Sequence, residues 1–309
     1  MRSFFFIVLA PVALVASCSG EGPSPPQSAD AKTELQSLVW VDRTGAVTGN
    51  LGEPQEALSG LEVSPDGQRV VVRGREAGND DIYIHEGTTK TRFTHDEAHA
   101  RHPKWSPTGD RIAYFSYRNG AADLFVRAAD GSGEDVPVAA GPMHEYYPDW
   151  TPDEAILLFH LHDTDTDTRA LWYAPVNGDA PPTPLVETPF NVGLARFSPD
   201  GHYVAYQAQQ DDAWNVYVTN FPAGDRTWHI STNGGVWPKW SLEGDELFYF
   251  DNDKLMRVAV ALGPELAFDE PRVLFDTSSV GGWSAPEASL FNPLYGPSPD
   301  GSRFAIVLR

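Results

Sequence analysis

The sequence predicts an all-β protein, organised as a six-bladed β-propeller of four-stranded antiparallel blades. Three observations predict it. A tetrapeptide related to Ser-Pro-Asp-Gly occurs six times, its copies follow one another at steps of 42, 45, 47, 43 and 57 residues, and alternating apolar and polar residues flank the copies. Repeats of about 40 to 50 residues with such strands are typical of propeller blades.

The repeated tetrapeptide has the residue types of a hairpin turn. The copies occupy residues 64–67, 106–109, 151–154, 198–201, 241–244 and 298–301. Proline fixes φ at the second position, and glycine accepts the left-handed conformation at the fourth. Glu154 replaces the glycine in the third copy and Leu242 replaces the proline in the fifth. We therefore expect these two turns to differ in shape from the others.

Strand patterns surround each turn in the same order. A first strand ends on a bulky residue before the turn, and an alternating second strand follows it, as in residues 111–115. The third strands are predicted at residues 81–84, 123–126, 170–173, 215–218 and 254–258, and weaker fourth strands at, for example, 91–94 and 272–275. Alternation with a period of two is the pattern of a half-buried strand.

The sixth repeat has only two strands before residue 309. Residues 38–42 have the pattern of a third strand, and residues 46–48 suit a fourth. The sequence therefore predicts that the N-terminal strands complete the last blade and close the ring. Closure of this kind removes the exposed sheet edges that an open array would leave.

The first residues have the features of a processing signal. Arg2 precedes an apolar run over residues 4–16, and small residues precede Cys18, the only cysteine. This pattern resembles a bacterial lipoprotein signal over residues 1–17 with lipidation of Cys18, and the alternative is an ordinary secretory signal cut nearby. Residues 18–36 are predicted to form a flexible tether, and residues 37–309 the propeller. Ser19 favours the periplasmic face of the outer membrane, with surface display as the alternative.

Composition excludes several classes of function. Asp and Glu outnumber Lys and Arg by 43 to 22, which gives a formal charge of −21. Such a charge repels nucleic acid and anionic lipid headgroups, so no nucleic-acid partner is predicted, and contact with the membrane is expected through the N-terminal lipid only. A single cysteine also excludes an intramolecular disulfide and a cysteine-based zinc site.

The repeats resemble a known family. The aromatic-Ser-Pro-Asp-Gly unit, followed by strands such as residues 123–126, is similar to the TolB-type β-propeller repeat, a WD-repeat-like propeller family. Residues 38–45, 188–191 and 196–201 also resemble propeller regions attached to bacterial serine/threonine kinases. The resemblance covers about residues 38–309. It implies a protein-binding platform, a sensor or an appendage to a peptidase.

Propeller geometry predicts where a ligand would bind. Loops from each fourth strand to the next first strand surround the mouth of the central channel, and their aromatic and polar side chains suit capture of a peptide or small molecule. The candidate binding residues are Arg101, His102, Glu145, Tyr146, Asn191, Trp237, Trp283 and Tyr295. The alternative is that several, particularly Tyr147 and Trp237, are wedges between blades. Trp283 lies in the long connection 276–293, which is predicted to be a flap over the mouth or a local anchor.

Histidines and acidic residues near the same rim suggest a second kind of site. The candidates for a divalent cation are His99, His144, His160, His162 and Asp163. Imidazole and carboxylate groups are suitable ligands for such ions. The alternative is a solvated hairpin loop with polar strand ends, and no other cofactor is predicted.

A column of charged residues predicts a structural feature of the ring. The residue before each bulky anchor is, in chain order, Glu62, Lys104, Asp149, Arg196, Lys239 and Gly296. Opposite charges adjoin at the first three junctions, so the sequence predicts a partly buried ring of ion pairs.

These observations predict a lipid-anchored, extracytoplasmic binding or scaffold propeller that captures a protein, peptide or small-molecule ligand at the channel mouth. We expect a monomer with a protein or peptide partner, and no enzyme activity, because no catalytic motif was found and no residues follow the sixth repeat to form a hydrolase domain. The alternative is a metal-assisted lyase or hydrolase that acts on a polysaccharide or peptide at the same mouth.

Overall fold

The computed structural model describes residues 34–139, 141–186, 188, 191–210, 213–263, 265–280 and 292–308. Within these ranges the regular structure is β-strand, apart from one short 3₁₀ helix at Thr277–Val280. None of the described segments is a helix with the length and apolar character needed to cross a membrane. The predicted signal peptide, Cys18, the greater part of the tether and Trp283 lie outside the described residues.

Four antiparallel sheets each form one repeat unit, and their strands are consecutive in sequence. The first contains β6 (Ala100–Trp105), β7 (Arg111–Asn119), β8 (Ala121–Ala128) and β9 (Val136–Ala139). The second contains β10 (His144–Trp150), β11 (Ile156–Asp163), β12 (Thr168–Pro175) and β13 (Thr183–Val186). The third contains β14 (Val192–Phe197), β15 (Tyr203–Gln210), β16 (Ala213–Asn220) and β17 (Thr227–His229).

The fourth of these sheets has a divided outer strand. It contains β18 (Val236–Trp240), β19 (Glu246–Asp251), β20 (Lys254–Ala261), β21 (Ala267–Phe268) and β22 (Arg272–Asp276). Both β21 and β22 pair with β20, the first with its C-terminal end and the second with its N-terminal half. The fourth-strand position predicted at residues 272–275 is therefore shared by two short strands.

The remaining sheet joins the two ends of the described chain. It contains, in spatial order, β23 (Tyr295–Pro297), β24 (Arg303–Leu308), β1 (Leu35–Asp42), β2 (Val47–Val63), β3 (Arg69–Glu76), β4 (Asn79–Glu86) and β5 (Thr89–Arg92). Strand β1 pairs with β24 from Ser37 opposite Leu308 to Asp42 opposite Arg303. The N-terminal strand thus hydrogen-bonds to the C-terminal one, as the sequence predicts.

Strand β2 belongs to two repeat units at once. Its first half pairs with β1, and its second half, from Glu56 to Val63, pairs with β3. Register shifts interrupt both ladders, and Gly52, Ala57 and Gly60 have positive φ within the strand. Bulges of this kind bend a strand and increase its twist. They explain how one strand of 17 residues serves where the sequence predicts two.

The repeated tetrapeptides form one kind of turn. In every copy the fourth residue donates its backbone N–H to the carbonyl oxygen of the first, over 2.8 to 3.1 Å. The expectation that two copies differ in shape is wrong. Glu154 adopts the left-handed conformation that glycine occupies in the other copies, and Gly244 donates the same bond although Leu242 precedes it.

The first strands of the repeat units contact one another in sequence order. Strand β2 contacts β6, β6 contacts β10, β10 contacts β14, β14 contacts β18, β18 contacts β23, and β23 contacts β2. The core lies between these neighbouring sheets. It is formed from buried apolar residues on both faces of each sheet, including Tyr114, Phe159, Val204, Phe248 and Phe304.

Candidate functional site

A bulge with positive φ recurs in the first strand of five units. The residues with this conformation are Gly60, His102, Tyr147, Leu194 and Trp237, and each stands two positions before a charged residue of the column described above. The strand register shifts at the same place in all five. Because non-glycine residues adopt this conformation at a cost, its repetition marks a built feature of the molecule.

The charged column forms a buried cluster around one carboxylate. Glu62 accepts hydrogen bonds from Arg196 at 2.9 Å and Lys239 at 2.8 Å, and Lys104 lies 3.3 Å away. Lys104 also pairs with Asp149 at 3.0 Å. The predicted ring of pairs is therefore a cluster in which three cations converge on Glu62. Burial raises the pKa of Glu62, but these three cations outweigh burial and hold the pKa well below its ordinary value.

The cations of this cluster also affect one another. Burial lowers the pKa of the Lys239 ammonium to about 7; Glu62 raises it, and Arg196 and Lys104 lower it. Lys239 donates a second hydrogen bond to the carbonyl oxygen of Leu61, at 2.8 Å. The five charged groups carry three positive charges and two negative ones. The cluster therefore has a positive excess when all of them are ionised.

A cavity of about 210 Å³ lies next to the bulges of β6 and β10. The described residues that line it are Arg101, His102, Phe115, Tyr117, Tyr146, Tyr147, His162, Arg169 and Asn292. They come from two neighbouring sheets and from the segment before β23. Two of them are arginines, three are tyrosines, and none of them is acidic. We call this the mouth cavity.

Aromatic rings pack closely along the wall of the mouth cavity. The ring of His102 meets that of Tyr147 edge to face at 4.4 Å and stacks on Phe115 at 5.5 Å. Tyr146 meets Phe115 edge to face at 4.9 Å, and Tyr147 meets His160 at 5.1 Å. Such contacts fix the rings in position, and they leave a rigid aromatic surface that carries tyrosine hydroxyls and imidazole nitrogens as polar groups.

Three arginines affect the charge state of His102, which lines the cavity. Burial lowers the pKa of His102 well below its ordinary value, and Arg73, Arg101 and Arg196 lower it further, while a hydrogen bond with Asn292 raises it. Its imidazole is therefore neutral near pH 7. Three guanidinium groups from three different sheets contribute to the positive potential at this point.

Three of the predicted binding residues, Arg101, His102 and Tyr146, line the mouth cavity. Glu145 precedes Tyr146 in β10 but is buried, and burial raises the pKa of its carboxyl group to about 7, with the charge of Asp123 adding to the effect. The carbonyl oxygen of Asn191 accepts a hydrogen bond from Gln209 at 2.9 Å. The structure therefore brings together only part of the predicted binding set.

Two of the predicted binding residues lie in the core. Trp237 is 1% exposed and Tyr295 is fully buried, and the Tyr295 hydroxyl donates to the carbonyl oxygen of Trp237 at 2.6 Å. Both rings pack against Phe250, at 5.7 and 4.9 Å. This position agrees with the wedge interpretation of Trp237. Trp283 is not among the described residues, so its predicted role as a flap residue stays a prediction.

The candidate metal ligands have different hydrogen-bond partners. Two of them, His144 and His162, are opposite each other on β10 and β11, with ring centroids 6.2 Å apart. The Nδ1 atom of His99 accepts a hydrogen bond from the backbone of Asp80 at 3.0 Å, and Nδ1 of His144 accepts one from Ala122 at 2.9 Å. His162 pairs with Asp167 at 2.9 Å. Within the described ranges no group of three His, Cys, Asp or Glu side chains is placed to hold one metal ion.

The last two candidate ligands are His160 and Asp163. His160 is fully buried, and burial lowers its pKa to about 3. Asp163 accepts a hydrogen bond from the backbone of Asp165 at 2.9 Å. The metal-assisted alternative therefore finds no set of converging ligands in the described part of the chain.

Sequence reasoning missed several residues of the mouth cavity. Tyr117 lies near the end of the second strand β7 and Arg169 near the start of the third strand β12, each next to a hairpin that joins a second and a third strand. The predicted binding residues all come from the connections before first strands, whereas Tyr117 and Arg169 flank the hairpins between second and third strands. A search of both sets of loops for arginine and tyrosine would have found Arg169 and Tyr117.

Comparison with known proteins gives distant relatives. No family model matches the chain. It is 31% identical over 134 residues to the uncharacterized peptidase YuxL of Bacillus subtilis, a match that covers 40% of this chain and 19% of that protein. It is 23% identical over 201 residues to the uncharacterized protein Atu1656 of Agrobacterium fabrum, covering 60% and 67% of the two. The first match thus spans about a fifth of the relative.

Solved structures resemble the described fold over most of its length. A candidate TolB from Agrobacterium tumefaciens superposes with a TM-score of 0.68 at 15% identity, covering 89% of this chain and 98% of that one. An oligogalacturonate lyase in complex with manganese gives 0.56 at 13% identity, covering 89% and 96%. A puromycin-hydrolyzing peptidase of Mycobacterium tuberculosis gives 0.51 at 16% identity, covering 70% and 37%.

The peptidases among these proteins correct one prediction. The expectation that the protein has no enzyme activity is contradicted, because a curated relative is named a peptidase and a peptidase shares the fold. The expectation depended in part on the lack of residues for a hydrolase domain after the sixth repeat. That reasoning fails because this chain spans only a part of each peptidase.

Proposed function

From the TolB-like β-propeller fold that the structural neighbours establish, we propose that this protein captures a peptide, free or within a protein partner, at the mouth cavity. One observation carries the proposal: a concave site of about 210 Å³ is lined by rigid aromatic rings and a few polar groups. Sites with this composition suit peptides, because aromatic walls bury the apolar groups of a peptide and polar side-chain atoms fix its orientation. The protein is proposed to act as a monomer.

We infer that the sheets form six blades in a closed ring. The seven-stranded sheet supplies two of them, which share β2. Strands β23, β24, β1 and the first half of β2 form the sixth blade. The second half of β2 forms the first blade with β3, β4 and β5. The cycle of contacts between first strands, which returns from β23 to β2, supports this assignment. A closed ring places the bulges of neighbouring blades side by side around the mouth.

We propose that a lipid on Cys18 holds the propeller at the cell envelope, on the periplasmic face of the outer membrane. The support is the apolar run before this single cysteine and the Gly-, Pro- and Ser-rich segment after it. A tether of this composition lets the mouth cavity reach partners at a distance from the membrane.

Replacement of the cysteine tests the anchor. Cys18→Ala is expected to move the protein from the membrane fraction to the soluble envelope fraction, because the acyl chains attached to this residue supply the membrane affinity. Cell fractionation and immunoblotting measure the change, and Ser17→Ala is the matched control. Retention of the Cys18→Ala protein in washed membranes would contradict the lipid anchor.

A second candidate function is participation in peptide hydrolysis. The observation that favours it is the 31% identity to a protein named a peptidase. In this case the mouth cavity would hold the peptide before or during cleavage. Both candidates need a peptide at the same cavity, and mass spectrometry of the captured peptide separates them, because hydrolysis yields shortened products.

Photo-crosslinking tests capture at the mouth. Benzoylphenylalanine in place of Tyr117, on the cavity wall, is expected to crosslink a peptide or protein in living cells. The same probe in place of Val273, which is 51% exposed on β22, is the matched control. Bands specific to the Tyr117 position support capture. Absence of bands there, or identical bands at both positions, would overturn the proposed function.

A further inference from the structure

The mouth cavity is positively charged in a protein of formal charge −21. Its described lining contains Arg101 and Arg169 and no acidic side chain. Low-dielectric walls focus the field of such groups into the concave space between them. Arg169 also pairs with the exposed carboxylate of Asp167 at 3.5 Å, but Asp167 lies outside this lining. An anionic ligand is therefore attracted to the space between the two arginines.

Two more arginines, which share a carboxylate with Arg101, add to this charge. Arg73, Arg75 and Arg101 share the carboxylate of Asp80, at 2.9, 2.7 and 2.6 Å. One carboxylate thus pairs with three guanidinium groups. Burial raises the pKa of Asp80, but the arginines outweigh burial and hold the pKa well below its ordinary value, so its single charge leaves two positive charges in excess.

Buried donors that lack a partner provide a second observation. Among the described residues, the Nε atoms of Arg101 and Arg196 are buried and have no hydrogen-bond partner. Arg196 is 7% exposed and lies close enough to His102 and His160 to lower the pKa of both. Buried donors without partners are rare in folded proteins and often mark the place of a bound group.

We propose that the mouth cavity recognises a carboxylate group of its peptide ligand, held by Arg101 and Arg169. This inference rests on the proposed function and names the chemistry of the ligand. Planar guanidinium groups match carboxylates through paired, charge-assisted hydrogen bonds. Tyr117 and Tyr146 supply the adjoining aromatic surface for the residue that carries the carboxylate. The carboxylate belongs either to the C-terminus of the peptide or to an acidic side chain.

Three short peptides distinguish these sources. The first is N-acetyl-Ala-Ala-Phe with a free C-terminus, the second is its C-terminal amide, and the third is the amide of N-acetyl-Ala-Asp-Phe. Titration calorimetry with the full-length protein is expected to show binding of a carboxylate peptide about tenfold or more tighter than the neutral amide. The tighter of the two carboxylate peptides identifies the source. High salt is expected to reduce the difference.

Arginine variants assign the preference to the cavity. Arg101→Gln and Arg169→Gln together are expected to make the acid and amide peptides bind equally, whereas Arg272→Gln, on the exposed side of β22, leaves the preference intact. Arg73 and Arg75 still pair with Asp80 in the double variant. If the melting temperature of the double variant nevertheless falls, the single variant Arg169→Gln is used for the same comparison of acid and amide peptides.

The outcomes separate this inference from the proposed function. Equal binding of acid and amide peptides by the wild type, or a preference that survives in the arginine variants, overturns carboxylate recognition and leaves peptide capture standing. Failure of all three peptides to bind, together with no crosslinks from the Tyr117 position, overturns both.

Discussion

Deletion of residues 19–48 is expected to abolish the soluble, folded protein, whereas deletion of residues 19–33 leaves its melting temperature nearly unchanged. The longer deletion removes β1, in which Leu38, Val39, Trp40 and Val41 are all at least nine-tenths buried. Burial of each such side chain contributes about 1.5–3 kcal/mol. Their combined loss approaches the whole stability of a typical domain, about 5–15 kcal/mol.

The same deletion exposes the backbone of β24, which pairs with β1 over six residues. An unpaired strand edge promotes aggregation. Size-exclusion chromatography and thermal unfolding of both deletion proteins measure the effect. A synthetic peptide of residues 34–56 added to the longer deletion is expected to restore part of the solubility. A soluble product of unchanged stability without the peptide would show that the sheet does not depend on its N-terminal strand.

Glu62→Gln is expected to lower the free energy of unfolding by about 3–5 kcal/mol, because it leaves the buried Arg196 and Lys239 and the partly buried Lys104 without their shared counter-charge. Urea denaturation followed by fluorescence measures the change. Glu243→Gln, an exposed glutamate on the fifth turn, is the matched control and is expected to change stability by less than about 0.5 kcal/mol. Equal stabilities of the two variants would contradict the central role of Glu62.

A second replacement and a pH series sharpen this test. Lys239→Met combined with Glu62→Gln removes one of the cations that Glu62→Gln leaves unpaired. The double variant is therefore expected to lose less unfolding free energy than the sum of the losses in the two single variants.

The folded-state pKa of Glu62 lies below its ordinary value of 4.5. Its contribution is therefore complete above about pH 5 and decreases as the pH falls, so the difference between wild type and Glu62→Gln narrows in acid.

The repeat and the strand order could be predicted because they depend on local signals, and the pairing of the two chain ends was predicted from the two strands that the sixth repeat lacks. Each turn needs a proline-like φ and a left-handed fourth residue, and each strand alternates in polarity, so one pattern appears six times. The third copy shows the limit of this reasoning. Glu154 takes the glycine position, and its side chain accepts hydrogen bonds from Thr108 in the neighbouring turn, at 2.8 Å from the backbone and 2.6 Å from the hydroxyl. These long-range bonds favour a conformation that local propensity disfavours.

The sequence by itself determined that the chain is a repeated all-β protein and that charged residues recur at one position of the first strand. Only the tertiary structure decided that Glu62 pairs with three cations at once. It also decided that Trp237 and Tyr295 are core residues, and that Arg169 and Arg101 both line the mouth cavity. The physical reason is the distance along the sequence over which each kind of interaction acts. Turn and strand preferences act between neighbours in sequence, whereas ion pairing, burial and cavity shape depend on distances between residues of different sheets, which no single repeat encodes.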